Sequence, residues 1–331
     1  MSNKKENKNI DFDDSILSKT LEEIRKRYGN GSIISFIEEV ESIPVISTGN
    51  RSLNKALGVG GIPRGRITEV YGKQGVGKST LTAHIVSEAQ KLGELCGYID
   101  AENAVDAKYF QDIGIDISNN FLLSQTSSGE EALDILETLL KSKQFAVIII
   151  DSVAALCPQA EIDGEFGDST IGLMARMMGK SMRRITPLIH QSGTSVIFIN
   201  QLRDNIGAFG MGPKTTTPGG KALPYFASVR IELSNVGQIK NGDNVIGNRV
   251  RAKIVKNKVA APFKIAEYEI IFGEGISKTR ALIEEGLEEG IITKGGAWYS
   301  FGEIKLGNGI IKASEFLKDN PEIMKEIEKQ L

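Results

Sequence analysis

The stretch that decides the fold is Gly72-Lys73-Gln74-Gly75-Val76-Gly77-Lys78-Ser79. It fits the phosphate-loop pattern G-x-x-x-x-G-K-[ST], in which the glycines let successive backbone N–H groups face one phosphate. A strand-like run, RITEVY at 66–71, precedes it, and a helical pattern begins near Lys78. A helix N-terminus also attracts an anion, so this context suits a phosphate site. The alternative is a glycine-rich turn without function.

Outward from this loop, strand-like and helical stretches alternate. Several of the strands are almost wholly apolar, as parallel strands covered on both faces are. After RITEVY they read LCGYID (95–100), AVIIID (146–151) and SVIFIN (195–200), and the helices begin near Lys78, Gly129 and Gly172. The alternation predicts an α/β doubly wound core with a mostly parallel, twisted sheet and ligands at the carboxyl ends of its strands.

The two ends of the chain predict smaller attachments. One face of an N-terminal helix carries Leu17, Leu21, Ile24 and Tyr28, and such a helix must dock on its own core or on a neighbouring subunit. After Tyr225, three successive strands are expected to extend the sheet antiparallel. Beyond about Gly275, a short helix, an aromatic hairpin and closing helices predict a small α+β domain. The expected division is a helix and linker over 1–38, a core over 39–276 and a C-terminal domain over 277–331.

The composition excludes several classes of protein. The chain has 331 residues and a formal net charge of −2. Nucleic acid, if bound, must be held by a local strip of basic side chains and backbone N–H groups rather than by a basic coat. No apolar run approaches ~18 residues, and the polar first residues lack the apolar core of a secretory signal. We expect a soluble, cytoplasmic protein with no membrane partner.

Two carboxylates follow predicted strands. Asp151 ends an apolar run, which suits a carboxylate near a metal ion, although a helix cap is the alternative. Glu102 lies just past another strand, where it can orient and deprotonate a water, although a solvated loop acid is the alternative. Lys78 would neutralise the β- and γ-phosphate oxygens, and Ser79 with Asp151 would ligate Mg²⁺.

The nucleotide is expected to be ATP. A guanine-specific site would want N-K-x-D, and Asn257-Lys258-Val259-Ala260 has alanine in place of the aspartate. The expected phosphate contacts are Gly72, Lys73, Gln74, Gly75, Val76, Gly77, Lys78, Ser79 and Thr80.

Two loops are candidates for a nucleic-acid surface. The first, 161–172, leads into a helix that carries Arg176 and Arg183. The second, 202–223, is rich in glycine and threonine, and a loop of that length in a compact domain is usually functional or disordered. Its hydroxyl and N–H groups suit phosphate oxygens, and its apolar side chains Ile206 and Phe209 could wedge between bases. A lid over the nucleotide is the alternative.

With these residues quoted, the chain resembles the bacterial RecA family of recombinases from about Leu17 to its end. The order and spacing of several motifs agree with that family. They are Tyr28-Gly29-Asn30-Gly31-Ser32-Ile33, Ser47-Thr48-Gly49, Ile99-Asp100-Ala101-Glu102, Asp151-Ser152-Val153-Ala154-Ala155-Leu156, Phe198-Ile199-Asn200-Gln201, Thr215-Thr216-Thr217-Pro218-Gly219-Gly220 and Val255-Lys256-Asn257-Lys258. The resemblance implies a RecA-like P-loop core.

The resemblance implies roles at the matching positions. Glu102 resembles the catalytic glutamate, and Asp106 and Tyr109 resemble the adenine-side contacts. Gln201 resembles the sensor of the γ-phosphate, while Lys256 and Lys258 resemble the pair that reaches a neighbour's ATP. On sequence alone, two lysines on a solvated strand edge are the alternative for that pair. Asn103 departs from the family, many of whose members have histidine there.

The resemblance also implies partners. The two loops would be the family's DNA-binding loops, and the chain would form a homo-oligomeric helical filament with ATP and Mg²⁺ on single-stranded DNA and pair it with double-stranded DNA. DNA repair and stimulated self-cleavage of an SOS repressor of the LexA type are further implications. The expected DNA contacts are Gly164, Arg176, Arg183, Arg203, Ile206, Gly207, Phe209, Lys214, Thr215, Thr216, Gly219 and Gly220.

Three other interpretations stay open on the residues alone. A ring-forming P-loop helicase or branch-migration ATPase would need a closing interface and usually a further domain. A P-loop kinase would need an acceptor site, and no arginine-rich lid is evident. A non-catalytic DNA-coating protein would not need Glu102.

Overall fold

The computed structural model describes residues 14–29, 42–165, 167–204 and 215–331. Residues 43–331 form one compact unit, and the N-terminal helix belongs to another. The helices are α1 (Asp14–Tyr28), α2 (Arg51–Leu57), α3 (Lys78–Gln90), α4 (Ala107–Ile113), α5 (Gly129–Ser142), α6 (Gln159–Ile162), α7 (Leu173–Ser192), α8 (Ala222–Phe226), α9 (Lys278–Glu288), α10 (Ile310–Asp319) and α11 (Pro321–Gln330).

The described residues also form strands. They are β1 (Val45–Ile46), β2 (Ile62–Pro63), β3 (Ile67–Gly72), β4 (Leu95–Asp100), β5 (Phe121–Gln125), β6 (Phe145–Asp151), β7 (Ser195–Gln201), β8 (Arg203–Asp204), β9 (Thr215–Thr216), β10 (Val229–Asn241), β11 (Asn244–Asn257), β12 (Ile265–Ile271), β13 (Gly275–Ile276), β14 (Ile292–Gly295), β15 (Trp298–Phe301) and β16 (Ile304–Asn308).

A nine-stranded sheet organises the large unit, in the order β13-β12-β11-β10-β3-β7-β6-β4-β5. The six strands from β10 to β5 run parallel to one another, and β11, β12 and β13 continue antiparallel from β10. The predicted α/β core with a mostly parallel sheet is therefore confirmed. Of the three strands expected to extend it antiparallel, the first, β10, joins parallel to β3, and the next two follow the prediction.

The sheet is buried on both faces of its central strands, and most side chains of these strands are apolar. On β6, Val147 and Ile149 pack into one core with α2, α3 and α4. Ile148 and Ile150 of the same strand pack into a second core with α5 and α7. This double burial explains why β6 is a continuous apolar run, as parallel strands in such sheets are.

The C-terminal part has a core of its own. The antiparallel sheet β14-β15-β16 packs with α9, α10 and α11 around Ile283, Tyr299 and Leu317. The predicted small α+β domain is present, and its aromatic hairpin is two strands of a three-stranded sheet. Tyr299 is buried, whereas Trp298 is 46% exposed.

The N-terminal helix α1 follows the predicted pattern and ends at Gly29, whose φ of 93° allows the chain to leave the helix. Its apolar residues Ile16, Leu17 and Tyr28 are exposed. Within the ranges described, no helix has the length and apolarity needed to cross a membrane.

Candidate functional site

The phosphate loop joins the carboxyl end of β3 to the first residue of α3, as predicted. Gly77 has a φ of 90°, and a Cβ built there would lie 2.3 Å from Cδ1 of Ile270. Gly75 has a φ of 70° and open space around it. A residue with a side chain rarely adopts a φ of 90°, so the loop conformation depends on glycine at position 77.

Lys78 is buried at the base of the loop. Its Nζ donates hydrogen bonds to the carbonyl oxygens of Lys73 at 2.8 Å and of Gly72 at 3.3 Å. Burial lowers the pKa of Lys78, and the nearby carboxylates of Asp151 and Glu102 partly oppose that effect. The ammonium group therefore lies between the loop backbone and two acidic side chains, a position from which it can reach phosphate oxygens.

Asp151, at the end of β6, is the buried carboxylate of the site. Its Oδ2 accepts hydrogen bonds from Ser79 Oγ and from the Tyr98 hydroxyl, both at 2.7 Å. Burial raises the pKa of Asp151, while the bonds from Ser79 and Tyr98 lower it. A hydroxyl and a carboxylate are oxygen ligands of the kind that Mg²⁺ prefers, with phosphates and waters completing its shell. The pair thus fits a magnesium ion bound together with nucleotide.

Glu102 follows β4 directly after Ala101, is exposed, and accepts hydrogen bonds from two side chains. Its Oε1 accepts a hydrogen bond from Ser152 Oγ and another from Gln201 Nε2 at 3.2 Å. Gln201 is the last residue of β7, so the carboxyl ends of three strands bring Glu102, Asp151 and Gln201 together. The next residue, Asn103, has a φ of 52°, a conformation that asparagine adopts more readily than most residues.

A cavity of about 360 Å³ connects these groups. The predicted residues along it are Gln74, Gly75, Val76, Gly77, Lys78, Ser79, Thr80, Glu102, Tyr109, Asp151 and Gln201.

The Tyr109 hydroxyl is hydrogen-bonded to Thr80 Oγ1 at 2.7 Å, which fixes the ring over this end of the cavity. Gly72 and Lys73 lie beneath the loop and contribute carbonyls to Lys78. Asp106 is the N-cap of α4, since its Oδ1 accepts from the N–H groups of Lys108 and Tyr109.

Sequence reasoning missed one wall of the cavity. It is formed by strands β11 and β12 and the turn after them, with Asn248, Val250, Ile270, Ile271, Phe272 and Gly273. Phe272 is 57% exposed beside the polar groups of the loop. An exposed aromatic after a strand was the only signal available. Its relation to a loop almost 200 positions earlier depends on tertiary packing.

The ends of the second candidate loop adjoin the nucleotide site. Strand β8 begins at Arg203, two residues after Gln201. It pairs antiparallel with β9, with Arg203 opposite Thr216 and Asp204 opposite Thr215. Arg203, Thr216 and Gly220 are exposed, whereas Gly219 is buried against Val153. Gly219 therefore anchors the end of this loop. The expected contacts Ile206, Gly207, Phe209 and Lys214 lie outside the described residues.

The first candidate loop leads into α7. Gly164 is exposed, and so are Arg176 and Arg183 on the outer side of α7. The methionines of this helix face inward, and Met178 and Met182 are fully buried in the core. The exposed arginines are not among the residues that line the nucleotide cavity.

Lys256 and Lys258 lie at the end of β11 and have different surroundings. Lys256 Nζ donates to the carbonyl oxygens of Pro224 and Tyr225, each at 2.8 Å, and so binds the end of α8. Burial lowers the pKa of Lys256, with Lys258 and Arg230 adding to the effect. Lys258 is exposed. Neither lysine lines the nucleotide cavity of its own subunit.

Comparison with known proteins identifies the family. The RecA N-terminal domain matches residues 15–277, and the RecA C-terminal domain matches residues 280–331. The chain belongs to the RecA family. It is 49% identical to the protein RecA of a Nitratiruptor species over 316 residues, which is 95% of this chain and 92% of the relative.

Other RecA proteins are similarly close. The chain is 48% identical to the protein RecA of Campylobacter hominis, over 94% of this chain and 90% of the relative. It is 49% identical to that of Streptomyces coelicolor, over 95% of this chain and 84% of the relative. The crystal structure of the RadB recombinase shares the fold, with a TM-score of 0.53, 21% identity and coverage of 70% of this chain and 98% of that one. Membership of the RecA family implies an ATP-binding P-loop NTPase that acts with DNA.

Proposed function

We propose that this chain is an ATP-dependent homologous recombinase that assembles as a helical filament on single-stranded DNA and exchanges strands with a matching duplex. The observation that carries the proposal is the hydrogen bond between Gln201 and Glu102, 3.2 Å long, at the edge of a loop that begins with the next residue, Leu202. A change at the γ-phosphate that moves Gln201 must also move the start of that loop. The nucleotide state and the DNA-binding segment are thus mechanically connected.

ATP would lie in the cavity with its phosphates over the loop and its base toward Tyr109 and Phe272. Lys78 would exchange the carbonyls of Gly72 and Lys73 for phosphate oxygens. The oxygen of the attacking water would bond to the γ-phosphorus while the bond from that phosphorus to the β-phosphate oxygen breaks. Glu102 would accept the proton that the water loses. Ser79 and Asp151 would hold Mg²⁺, which neutralises charge on the phosphates.

DNA would contact the two loops through its backbone. Arg203 and the hydroxyls of Thr215 and Thr216 are at the described edge of the second loop, and such groups bind phosphate oxygens without reading sequence. Gly164, Arg176 and Arg183 would serve the first loop. Because a recombinase must accept any sequence, homology would be tested by base pairing, with the protein fixing the geometry of the strand.

A filament would form because the negative charge of ATP at a subunit interface is fully neutralised only when two protomers contribute positively charged side chains. We propose that Lys256 and Lys258 reach the ATP of a neighbour, and that the exposed apolar residues of α1 dock on the neighbouring core. An interface of two different surfaces that does not close generates a helix of subunits. Binding of ATP and assembly then stabilise each other.

The division of labour along the chain belongs to the same proposal. Residues 1–38 would serve oligomerisation, residues 39–276 catalysis and DNA binding, and residues 277–331 a small domain that meets duplex DNA. Because the chain belongs to the RecA family, we also propose that its filament acts in the cytoplasm in DNA repair and stimulates self-cleavage of an SOS repressor of the LexA type. Incubating such a repressor with the filament and a non-hydrolysable ATP analogue tests the latter.

The decisive experiment is strand exchange with ATP and Mg²⁺, using matched and mismatched duplexes and the Lys78→Ala variant as control. The expected result is exchange with the matched duplex only, and none with the variant. Electron microscopy with a non-hydrolysable ATP analogue should show helical filaments on single-stranded DNA. Closed rings would favour a helicase or branch-migration enzyme instead, and a protein that stays monomeric under these conditions would refute the proposal.

A further inference from the structure

A buried phenol hydroxyl lies directly behind the metal-binding candidates. Tyr98 is on β4, and 1% of its surface is exposed. Its hydroxyl donates to Oδ2 of Asp151 at 2.7 Å. On sequence alone, Tyr98 is one position of a mostly apolar strand and carries no sign of a role.

Two hydroxyls from different elements converge on one oxygen of Asp151. Ser79 Oγ, on α3, donates to Oδ2 at 2.7 Å, as does the Tyr98 hydroxyl from β4. Among the residues that the structure describes, none donates a hydrogen bond to Oδ1 of Asp151. The carboxylate is therefore held through one oxygen, and the other keeps its lone pairs for a cation or its waters.

The Tyr98 ring is itself held in place. It packs edge-on against Phe110, with centroids 5.2 Å apart, and tilted against Phe121 at 6.4 Å. Strands β4 and β6 pair in register, so Asp100 lies beside Asp151, and the tyrosine is fixed relative to the carboxylate by the sheet as well. A hydroxyl on a rigid ring orients its acceptor better than one on a mobile side chain, since less freedom is lost.

We propose that Tyr98 is a positioning residue for the metal site. Its hydroxyl fixes the Asp151 carboxylate so that Oδ2 stays bonded to the protein and Oδ1 stays available to the divalent cation that accompanies ATP. This inference rests on the proposed ATPase function. The claim concerns cation binding, and it can fail while ATP hydrolysis by the wild-type protein stands.

The test compares Tyr98→Phe with Tyr268→Phe. Each removes one buried phenol oxygen and keeps the ring. The Tyr268 hydroxyl lies in the core on β12 and has no hydrogen-bond partner within the described part of the chain, so it is a matched control. Mn²⁺ binding to the protein–nucleotide complex is measured by electron paramagnetic resonance. Binding of a fluorescent ATP analogue is measured in EDTA and in a Mg²⁺ titration.

Tyr98→Phe is expected to raise the half-saturating Mn²⁺ and Mg²⁺ concentrations about fivefold, the effect of losing one ordinary hydrogen bond. Nucleotide affinity in EDTA should stay within twofold of wild type, and Tyr268→Phe should match wild type in every assay. Equal half-saturating cation concentrations for wild type and Tyr98→Phe would overturn the inference. The same loss of cation affinity in Tyr98→Phe and Tyr268→Phe would also overturn it. Failure of the wild-type protein to bind nucleotide at all would instead overturn the proposed function.

A second measurement applies if Tyr98→Phe does not give a native circular dichroism spectrum. The wild-type protein is labelled with ¹³Cζ-tyrosine, and the seven resonances are assigned with the other six Tyr→Phe variants. The Tyr98 resonance should shift when MgADP is added and not when ADP is added in EDTA. No shift with MgADP, or an equal shift with ADP alone, would contradict the role proposed for Tyr98.

Discussion

Glu69 and Arg230 lie side by side on the parallel strands β3 and β10 and form a salt bridge 2.5 Å long. Glu69 is fully buried, and its other carboxylate oxygen accepts a hydrogen bond from Asn200 Nδ2 at 3.0 Å. The same Nδ2 donates to the carbonyl of Pro218 at 3.1 Å. The ion pair therefore supports both the middle of the sheet and the end of the second candidate DNA loop.

Replacing Arg230 with Met should lower the free energy of unfolding by about 3 kcal/mol, because it leaves a buried carboxylate without its cation. Urea unfolding measures the loss. Lys141→Met is the control, since Lys141 and Glu137 form a pair in which the lysine is 60% exposed, and its removal should cost under about 1 kcal/mol. Similar losses in the two variants would show that burial of the Glu69 pair is energetically unimportant.

His84 should make folding sensitive to acid. Its Nε2 accepts the Ile276 N–H at 2.7 Å, and burial, with a contribution from Lys278, lowers the pKa of His84 to about 4. Between an unfolded pKa of about 6.5 and a folded pKa near 4, the unfolded chain binds a proton that the folded chain does not. The contribution of His84 to the free energy of unfolding is therefore fully present above about pH 6.5 and is lost as the pH falls toward 4.

The variant His84→Gln keeps an acceptor for Ile276 and does not titrate. Urea unfolding at pH 7 and pH 4.5 should show that it loses about 2 kcal/mol less than wild type over that interval. His190→Gln removes the only other histidine, which is exposed, and should keep the wild-type dependence. An unchanged acid sensitivity in His84→Gln would count against this account of His84.

Glu102→Gln should separate ATP binding from hydrolysis. The amide oxygen can still accept hydrogen bonds from Ser152 and Gln201, but the side chain can no longer take a proton. We expect DNA-stimulated phosphate release to fall by about 10²- to 10⁴-fold, with affinity for a fluorescent ATP analogue within twofold of wild type. Glu326→Gln, an exposed change on α11, is the control. Near-normal turnover in Glu102→Gln would exclude the glutamate as the base.

The two lysines at the end of β11 should differ in their effects. Lys256→Met removes two bonds to the carbonyls that end α8, so it should reduce both monomer stability, by about 1 kcal/mol, and ATP-dependent assembly. Lys258→Met should reduce assembly alone, because Lys258 is exposed. Light scattering with ATP and an oligonucleotide, together with urea unfolding, measures both properties. Normal assembly by Lys258→Met would remove that residue from the proposed interface.

Local patterns were sufficient to predict much of the core. The loop around Gly77 and the largely apolar runs of β3, β4, β6 and β7 carry their structure in short stretches, because a strand covered on both faces needs mostly apolar residues. The edge strand β5 was missed, since Leu122 and Leu123 are half-exposed and its pattern does not differ from that of a loop.

Contacts between distant segments were not predictable in the same way. Phe272 reaches the nucleotide cavity only because β12 packs beside the phosphate loop. The hydroxyl of Tyr98 reaches Asp151, 53 residues later in the chain, because the strands that carry them pair in the sheet. Such relations follow from sheet register and packing, which no single stretch of sequence contains.

The bonds from Lys78 to the carbonyls of Gly72 and Lys73 have a consequence for the speed of nucleotide capture. The ammonium group closes the loop on itself, so the loop is held in one conformation before a triphosphate arrives. Association then requires an exchange of acceptors and little loss of conformational entropy, which favours quick and enthalpy-driven capture. A subunit newly released from an end of the proposed filament would be ready for reloading without first reordering its backbone.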